Sequence, residues 1–322
     1  MSRVTSLKMV ALGGAALLLA ACSGGAPATQ DDDASGDATA SGDITIGFSI
    51  STMQNPFFVS MADGIKEAEA SEGVTVIVSD AADDASKQAN DVLNFISQGV
   101  DAVVLNPTDS DAVISSVQAL NDAGIPVLTV DRRTNGGTVV THIGTDNVVA
   151  GEIAAKTMFD AIGGTGKVAI LEGVPGASSA RDRQTGFDNV LQDYPDIEIV
   201  ASQTANYQRS EGLSVAQNLL QAHPDLTAIL SMNDEMALGA VEAIRSAGLE
   251  ATVRTIGIDG GDDAIQAVKD GTLVATIAQQ SKLMGSDAIK NAVKVAKGET
   301  VAEDQPVDVI VIDASNVDEY LK

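Results

Sequence analysis

Ile44-Thr-Ile-Gly-Phe-Ser-Ile50, followed by Ser51-Thr-Met-Gln-Asn55-Pro-Phe-Phe58, decides the fold of this chain. The first run is apolar, β-branched and uncharged, which suits a strand buried on both faces of a sheet. The second opens with small polar residues. It then offers an N-cap at Asn55 and a proline at the first helical position, where a missing N–H costs nothing. Strand, polar turn and helix make up the unit of an α/β layer. The same unit recurs down the chain.

Working outward, β-branched runs at Thr75–Ser79, Ala102–Leu105, Val127–Val130, Val139–Ile143 and Lys167–Leu171 predict further strands. Glu198–Ser202, Ala228–Ser231, Thr255–Ile258, Val274–Ala278 and a run near Val307–Ile312 extend the series. Amphipathic stretches lie between most of them. Ala112–Asn121, for example, places Val113, Val117 and Leu120 on one helical face. Ser110 and Ser178 precede helical runs, and Gly73, Gly99, Gly124 and Gly248 end others. So many strands exceed one compact open sheet. The expected fold is α/β, with two doubly wound parallel-sheet lobes.

Residues 1–21 read as an export signal. Arg3 and Lys8 precede an apolar run from Met9 to Ala21, and about 13 residues are too few to span ~30 Å as a helix. Leu19-Ala20-Ala21-Cys22 resembles the lipobox of bacterial lipoproteins, in which the cysteine receives lipid and becomes the N-terminus. A buried apolar filler is the other reading of Cys22. It is the only cysteine, so the body has no disulfide. Residues 22–42 hold no large apolar side chain and read as a flexible linker on that lipid anchor. A formal charge of −26 argues against nucleic acid, which needs a basic face, and fits a self-repelling soluble surface.

In open α/β sheets ligands bind outside the carboxyl ends of the strands. Ser51, Thr52, Asn55, Phe57 and Phe58 stand there after the first strand, and Asp131 and Arg132 after Val127–Val130. Met232-Asn233-Asp234-Glu235, Asp259-Gly260-Gly261 and Gln279-Gln280 end later strands; Arg181-Asp182-Arg183 opens a helix, and Asn206-Tyr207-Gln208 lies in a loop. Asp, Asn, Arg and Gln offer paired donors and acceptors that bridge adjacent hydroxyls. Aromatic rings cover a sugar's C–H face, so the set suits a polyhydroxylated ligand. Taken singly, Asn55 caps a helix, Phe57 and Phe58 are core, and Asp131–Arg132 is a local ion pair. Shared placement favours binding.

Catalytic and metal motifs are missing. His142 and His223 lack ligand spacing, so no metal or other cofactor is expected. No nucleophile elbow or zinc-protease motif occurs. Gly163-Gly-Thr-Gly-Lys167 precedes a strand instead of joining strand to helix, and reads as a helix-ending turn. The chain is not expected to be an enzyme.

Six blocks resemble the ribose-binding proteins of bacterial ABC importers, in the pentose and hexose branch of the periplasmic binding proteins (type I). They are Ser51–Phe58, Asn106–Ala112, Thr129–Arg132, Ser179–Arg183, Asn233–Gly239 and Ala275–Gln279. The resemblance implies sugar contacts at Ser51, Asn55, Phe57, Phe58, Asp131, Arg132, Arg181, Tyr207, Asn233, Asp259 and Gln279. It implies lobes of 43–145 plus 280–308 and 146–279 plus 309–322, joined by a three-crossing hinge that closes on ligand. It also implies a monomer that carries a monosaccharide, foremost D-ribose, to a permease with its ATPase subunit, on the outer face of the cytoplasmic membrane. Two departures bear on the sugar: Tyr207 and Ile258 stand where ribose proteins carry phenylalanine. Ile258 would remove a ring from one pocket wall, which admits another pentose, aldose or polyol.

Three rivals differ in purpose. A LacI-type repressor shares the two-lobed body but starts with a helix-turn-helix. A sensor subunit would report sugar occupancy to a chemoreceptor or kinase. A sugar-modifying enzyme could use Asp131 and Asp259 as its acid pair. Arg132 should keep Asp131 ionised, which suits hydrogen bonding better than proton donation.

Overall fold

The computed structural model describes residues 44–321; the export segment, Cys22 and the linker lie outside them. The chain first lays down β1 (Thr45–Ile50), α1 (Pro56–Glu72), β2 (Thr75–Asp80), α2 (Ala85–Gln98), β3 (Ala102–Leu105), α3 (Ile114–Asp122), β4 (Val127–Val130) and β5 (Thr141–Gly144). It then enters a second unit: α4 (Asn147–Ala161), β6 (Thr165–Glu172), α5 (Ser178–Leu191), β7 (Asp196–Thr204), α6 (Arg209–Ala222), β8 (Leu226–Ser231), α7 (Asp234–Ala247), β9 (Arg254–Asp259), α8 (Asp262–Lys269) and β10 (Ala275–Ala278). The helix α9 (Ser281–Ala296) returns to pack on α1, and β11 (Asp304–Pro306) and β12 (Ile310–Asp313) complete the strands among the described residues.

Two six-stranded sheets result, ordered β11-β5-β4-β3-β1-β2 and β12-β10-β9-β8-β6-β7. Each is flanked by helices, so the molecule is two α/β lobes. Every pairing in the first sheet is parallel. The second sheet departs from the all-parallel expectation, because β12 runs antiparallel to β10. The run expected as one strand near Val307–Ile312 also divides. Val307 is buried in the first lobe's core, whereas Val309 and Val311 pack against the second lobe's core. One apolar run thus serves two cores, and the chain crosses between sheets within it.

Local chemistry explains the elements. Asn55 Oδ1 accepts the N–H of Phe57 at 2.9 Å, so the Asn-Pro pair starts α1 as expected. Gly73, Gly99 and Gly248 close their helices in the left-handed conformation, where a Cβ would be strained. The Gly163–Gly164 pair forms the turn after α4, and the N–H of Gly164 bonds the carbonyl of Phe159 at 2.8 Å. Ser110 and Ser178 do not cap their helices. Ser110 Oγ donates to the carbonyl of Arg133 at 2.7 Å, and Ser178 Oγ accepts its N–H at 2.8 Å. One residue in the loop after β4 is therefore held by a serine from each lobe.

Candidate functional site

Between the carboxyl ends of the two sheets lies a buried pocket lined by Asn55, Phe57, Phe58, Asp131, Arg132, Ser179, Arg183, Tyr207, Asn233, Asp259 and Gln279. Asp131 follows β4 with φ at +61°, an uncommon conformation for a side chain other than glycine or asparagine. Its carboxylate is held there by Asn106 Nδ2, which reaches Asp131 Oδ2 at 3.1 Å and the carbonyl of Val130 at 3.1 Å. Arg132, 3% exposed, places Nε 3.7 Å from Asp131 Oδ2 and donates from Nη1 to the carbonyl of Pro107 at 3.3 Å. Its guanidinium lies 5.3 Å from the Phe58 ring and 5.6 Å from the Tyr207 ring, so it spans the two lobes. Phe57 and Phe58 meet edge to face at 5.1 Å and also belong to the first lobe's core. They serve both roles weighed from the sequence.

The second lobe answers with a matching set. Arg183 Nε donates to Asn147 Oδ1 at 2.8 Å and Nη1 donates to the carbonyl of Met232. The approach needs glycine: a Cβ on Gly151 would fall 2.5 Å from the Arg183 carbonyl oxygen. Arg183 stands 4.0 Å from Asp259, and Gln279 Nε2 donates to Asp259 Oδ1 at 2.9 Å. Tyr207 shares a hydrogen bond with Ser179 at 3.1 Å. Asn233 caps α7 through the N–H of Met236 at 2.9 Å and donates to the carbonyl of Tyr207 at 3.3 Å. Arg132 Nε and Gln279 Oε1 find no hydrogen-bond partner among the described residues.

Burial governs the charges. It pushes the Asp131 carboxyl up, against the pull of Arg132, Arg183 and the Asn106 amide. The expected ionising effect of Arg132 is thus present but outweighed by loss of water. Asp259 is raised well above the usual range, first by burial and then by the charge of Asp234, with Arg183 opposing. Burial likewise raises the Tyr207 phenol. Such groups gain by accepting hydrogen bonds from a polar ligand.

The free space at the pocket centre is about 20 Å³. Two wider clefts adjoin it. One, of about 990 Å³, opens past Phe57, Asp259 and Gln279; the other, of about 440 Å³, opens past Phe58, Arg132 and Tyr207. The small pocket, where the arginines and acids converge, is the chemical centre despite its size.

Three expectations need correction. Arg181 does not line the pocket: it is exposed and pairs with Asp182 Oδ1 at 3.1 Å and Asn135 Oδ1 at 3.4 Å. Arg183 takes its place. Helical spacing carries that signal, since Ser179 and Arg183 are four residues apart on one face of α5, while Arg181 lies two from each. Ser51 is fully buried and is not among the lining residues; its N–H bonds Asn106 Oδ1 at 3.1 Å, and its Oγ has no partner among the described residues. It supports the residue that holds Asp131. Ile258 is fully buried in the second lobe's core and forms no pocket wall. Successive strand residues point to opposite faces, so when Asp259 reaches the pocket, Ile258 turns from it.

The sequence pattern of the periplasmic binding protein domain matches residues 46–300. Ribose import binding protein RbsB of Bacillus subtilis is 46% identical over 284 residues, which cover 88% of this chain and 91% of that protein. Its Salmonella typhimurium namesake is 43% identical over 268 residues, 83% of this chain and 90% of that one. A solved ABC transporter periplasmic solute binding protein from Actinobacillus succinogenes, with bound D-allose, is 35% identical. It has a TM-score of 0.82 and covers 86% of this chain and 100% of that one. Sheet order, inter-lobe pocket and sequence therefore agree: the chain belongs to the periplasmic binding protein family.

Proposed function

We propose that this chain captures a monosaccharide, D-ribose first, between its lobes and delivers it to an ABC import permease served by an ATPase subunit. The observation that carries the reading is the convergence of Asp131 and Arg132 from one lobe with Arg183, Asn233 and Asp259 from the other, beside three aromatic rings. Planar charged groups bridge vicinal hydroxyls, and the rings take the C–H face. Hydrogen bonds to charged groups contribute ~1.5–3 kcal/mol each, so a few supply the roughly −8 kcal/mol of micromolar binding. Similarity to ribose import binding proteins supports ribose as the sugar.

Arg132, Asp131, Arg183 and Asn233 are almost wholly buried between the lobes, so a ring sugar reaches them only if the lobes part. The hinge would be the three crossings, near 145, 280 and 308. The lobes would be 43–145 with 280–308, and 146–279 with 309–322. Differential affinity drives closure, because both charge pairs meet the ligand together only in the closed form. The lipobox-like Leu19–Cys22 supports a lipid anchor at the outer face of the membrane, and the body works as a monomer. No catalytic step belongs to the reading.

A second sugar class is favoured by Tyr207, whose hydroxyl adds a polar group beside Ser179. Another pentose, an aldose or a polyol would use it. Isothermal titration calorimetry on protein unfolded and refolded to strip carried-over sugar separates the cases. D-ribose should bind at micromolar Kd or tighter, ahead of xylose, arabinose, allose, fructose and ribitol. Heat from another compound alone would move the specificity, and silence across the panel would overturn the sugar reading.

A further inference from the structure

The turn after β9 is held by a side chain that does not line the pocket. Asp234, the first residue of α7, is 3% exposed. Its Oδ2 accepts the backbone N–H groups of Gly260 and Gly261, each at 2.8 Å. Thr276 Oγ1 lies 2.8 Å from Asp234 Oδ1 and 3.0 Å from Oδ2, donates to this carboxylate, and accepts the Gly260 N–H at 3.0 Å. The fit leaves no slack: a Cβ on Gly257 would lie 2.1 Å from Asp234 Oδ1. Asp259 directly precedes this clamped turn and has φ at +149°, a region L residues rarely adopt. The two clamped glycines impose its direction against its own backbone preference.

We propose that Asp234 is a positioning residue for sugar capture: its carboxylate clamps the Asp259–Gly261 turn and so aims Asp259 into the pocket. The proposal rests on the sugar reading above. It has an electrostatic consequence. Three carboxylates, the buried Asp131 and Asp234 and the part-buried Asp259, stand against two buried guanidiniums, Arg132 and Arg183. Asp259 is faced by Asp234 and Asp131, which raise it, and by Arg183 and the Gln279 amide, which lower it. Burial pushes Asp234 itself to about 6, with Glu235 adding to the rise and the Gly261, Thr276 and Gly260 donors opposing. The charge of Asp234 therefore adds to burial in raising the pH at which Asp259 stops accepting hydroxyl protons.

Two variants separate clamp from charge. Asp234→Asn keeps an oxygen for the glycine N–H groups and offers its amide N–H to Thr276 Oγ1, whose hydroxyl turns to accept. Asp234→Ala removes clamp and charge together. By calorimetry with D-ribose, Asp234→Ala should lose at least about tenfold in affinity. Asp234→Asn should stay within about threefold near neutral pH, with the acid limb of its affinity profile moved to lower pH. Wild-type affinity in Asp234→Ala, or an unmoved limb in Asp234→Asn, would overturn the proposal. Should Asp234→Ala fail a circular-dichroism melt, Asp234→Ser, whose shorter side chain cannot hold both glycine N–H groups, takes its place with the same expected loss. Carboxyl ¹³C titration of the ligand-free protein gives a readout without sugar: Asp259 should titrate lower in Asp234→Asn. Ribose silence in the wild type would strike the sugar reading, while this titration still judges the coupling of Asp234 to Asp259.

Discussion

Truncating Arg132 to alanine removes a buried guanidinium from the first lobe's half of the pocket. It stands 3.7 Å from Asp131, bonds the Pro107 carbonyl and faces the Phe58 and Tyr207 rings. Loss of one charged hydrogen bond to the sugar costs ~1.5–3 kcal/mol, or about 10- to 150-fold in Kd. The fold is affected separately. Asp131 is left buried without its partner, and breaking a buried pair costs up to ~3–5 kcal/mol if the acid stays charged. Arg132 is the strongest influence holding the Asp131 carboxyl down, so that carboxyl rises further and the acid protonates instead. Ribose affinity in Arg132→Ala should therefore fall by at least tenfold near neutral pH and recover partly as pH rises. Arg132→Lys keeps the charge but loses the planar fork, and should lie between. Calorimetry at two pH values, beside a thermal melt, measures both effects. A normally folded Arg132→Ala protein with affinity within threefold of wild type would refute the site assignment.

Arg183→Ala should abolish measurable ribose binding, whereas Arg181→Ala should change Kd by less than about threefold, since an exposed pair contributes ~0–1 kcal/mol. Equal losses in a paired titration would contradict the exchange of roles on α5. Ile258→Phe should leave sugar preference unchanged and lower the melting temperature, because overpacking a filled core costs ~1–3 kcal/mol. Sharpened ribose selectivity would place Ile258 in the wall after all. His142 is buried against Thr129 and held neutral, with its pKa lowered to about 3 by burial and by Arg133. Its contribution is complete above the ordinary value of 6.5 and is lost as pH falls toward 3, at ~1.4 kcal/mol per unit. Thermal melts of His142→Gln should therefore decline less than wild type from pH 6.5 to 4, and parallel declines would refute this.

Much of the fold was legible because strand and helix alternate with clear punctuation. Asn55-Pro56 and the glycines after α1, α2 and α7 act locally, so local sequence reveals them. The antiparallel β12 was not legible, because pairing partner and direction are tertiary choices. Nor was the split at Val307–Val311, where one apolar run packs into two cores. In the site, strand ends pointed to Asp131, Arg132, Asn233, Asp259 and Gln279, which do converge. Arg181-Asp182-Arg183 stood together at the start of α5, and the resemblance pointed to Arg181, although helical periodicity places Arg183 on the face of Ser179. Ser51 was misplaced because a strand end can face the pocket or the shell behind it. Asp234 stood in the strand-end run Met232–Glu235, but its clamping role was not legible, since it rests on backbone N–H groups a full strand away.

A crystal structure grown with D-ribose tests capture between the lobes most directly. The account predicts one sugar in the pocket, its hydroxyls bonded by Asp131, Arg132, Arg183, Asn233 and Asp259 and its C–H face against Phe58 or Tyr207. Ribose bound elsewhere, or touching residues of one lobe only, would contradict it.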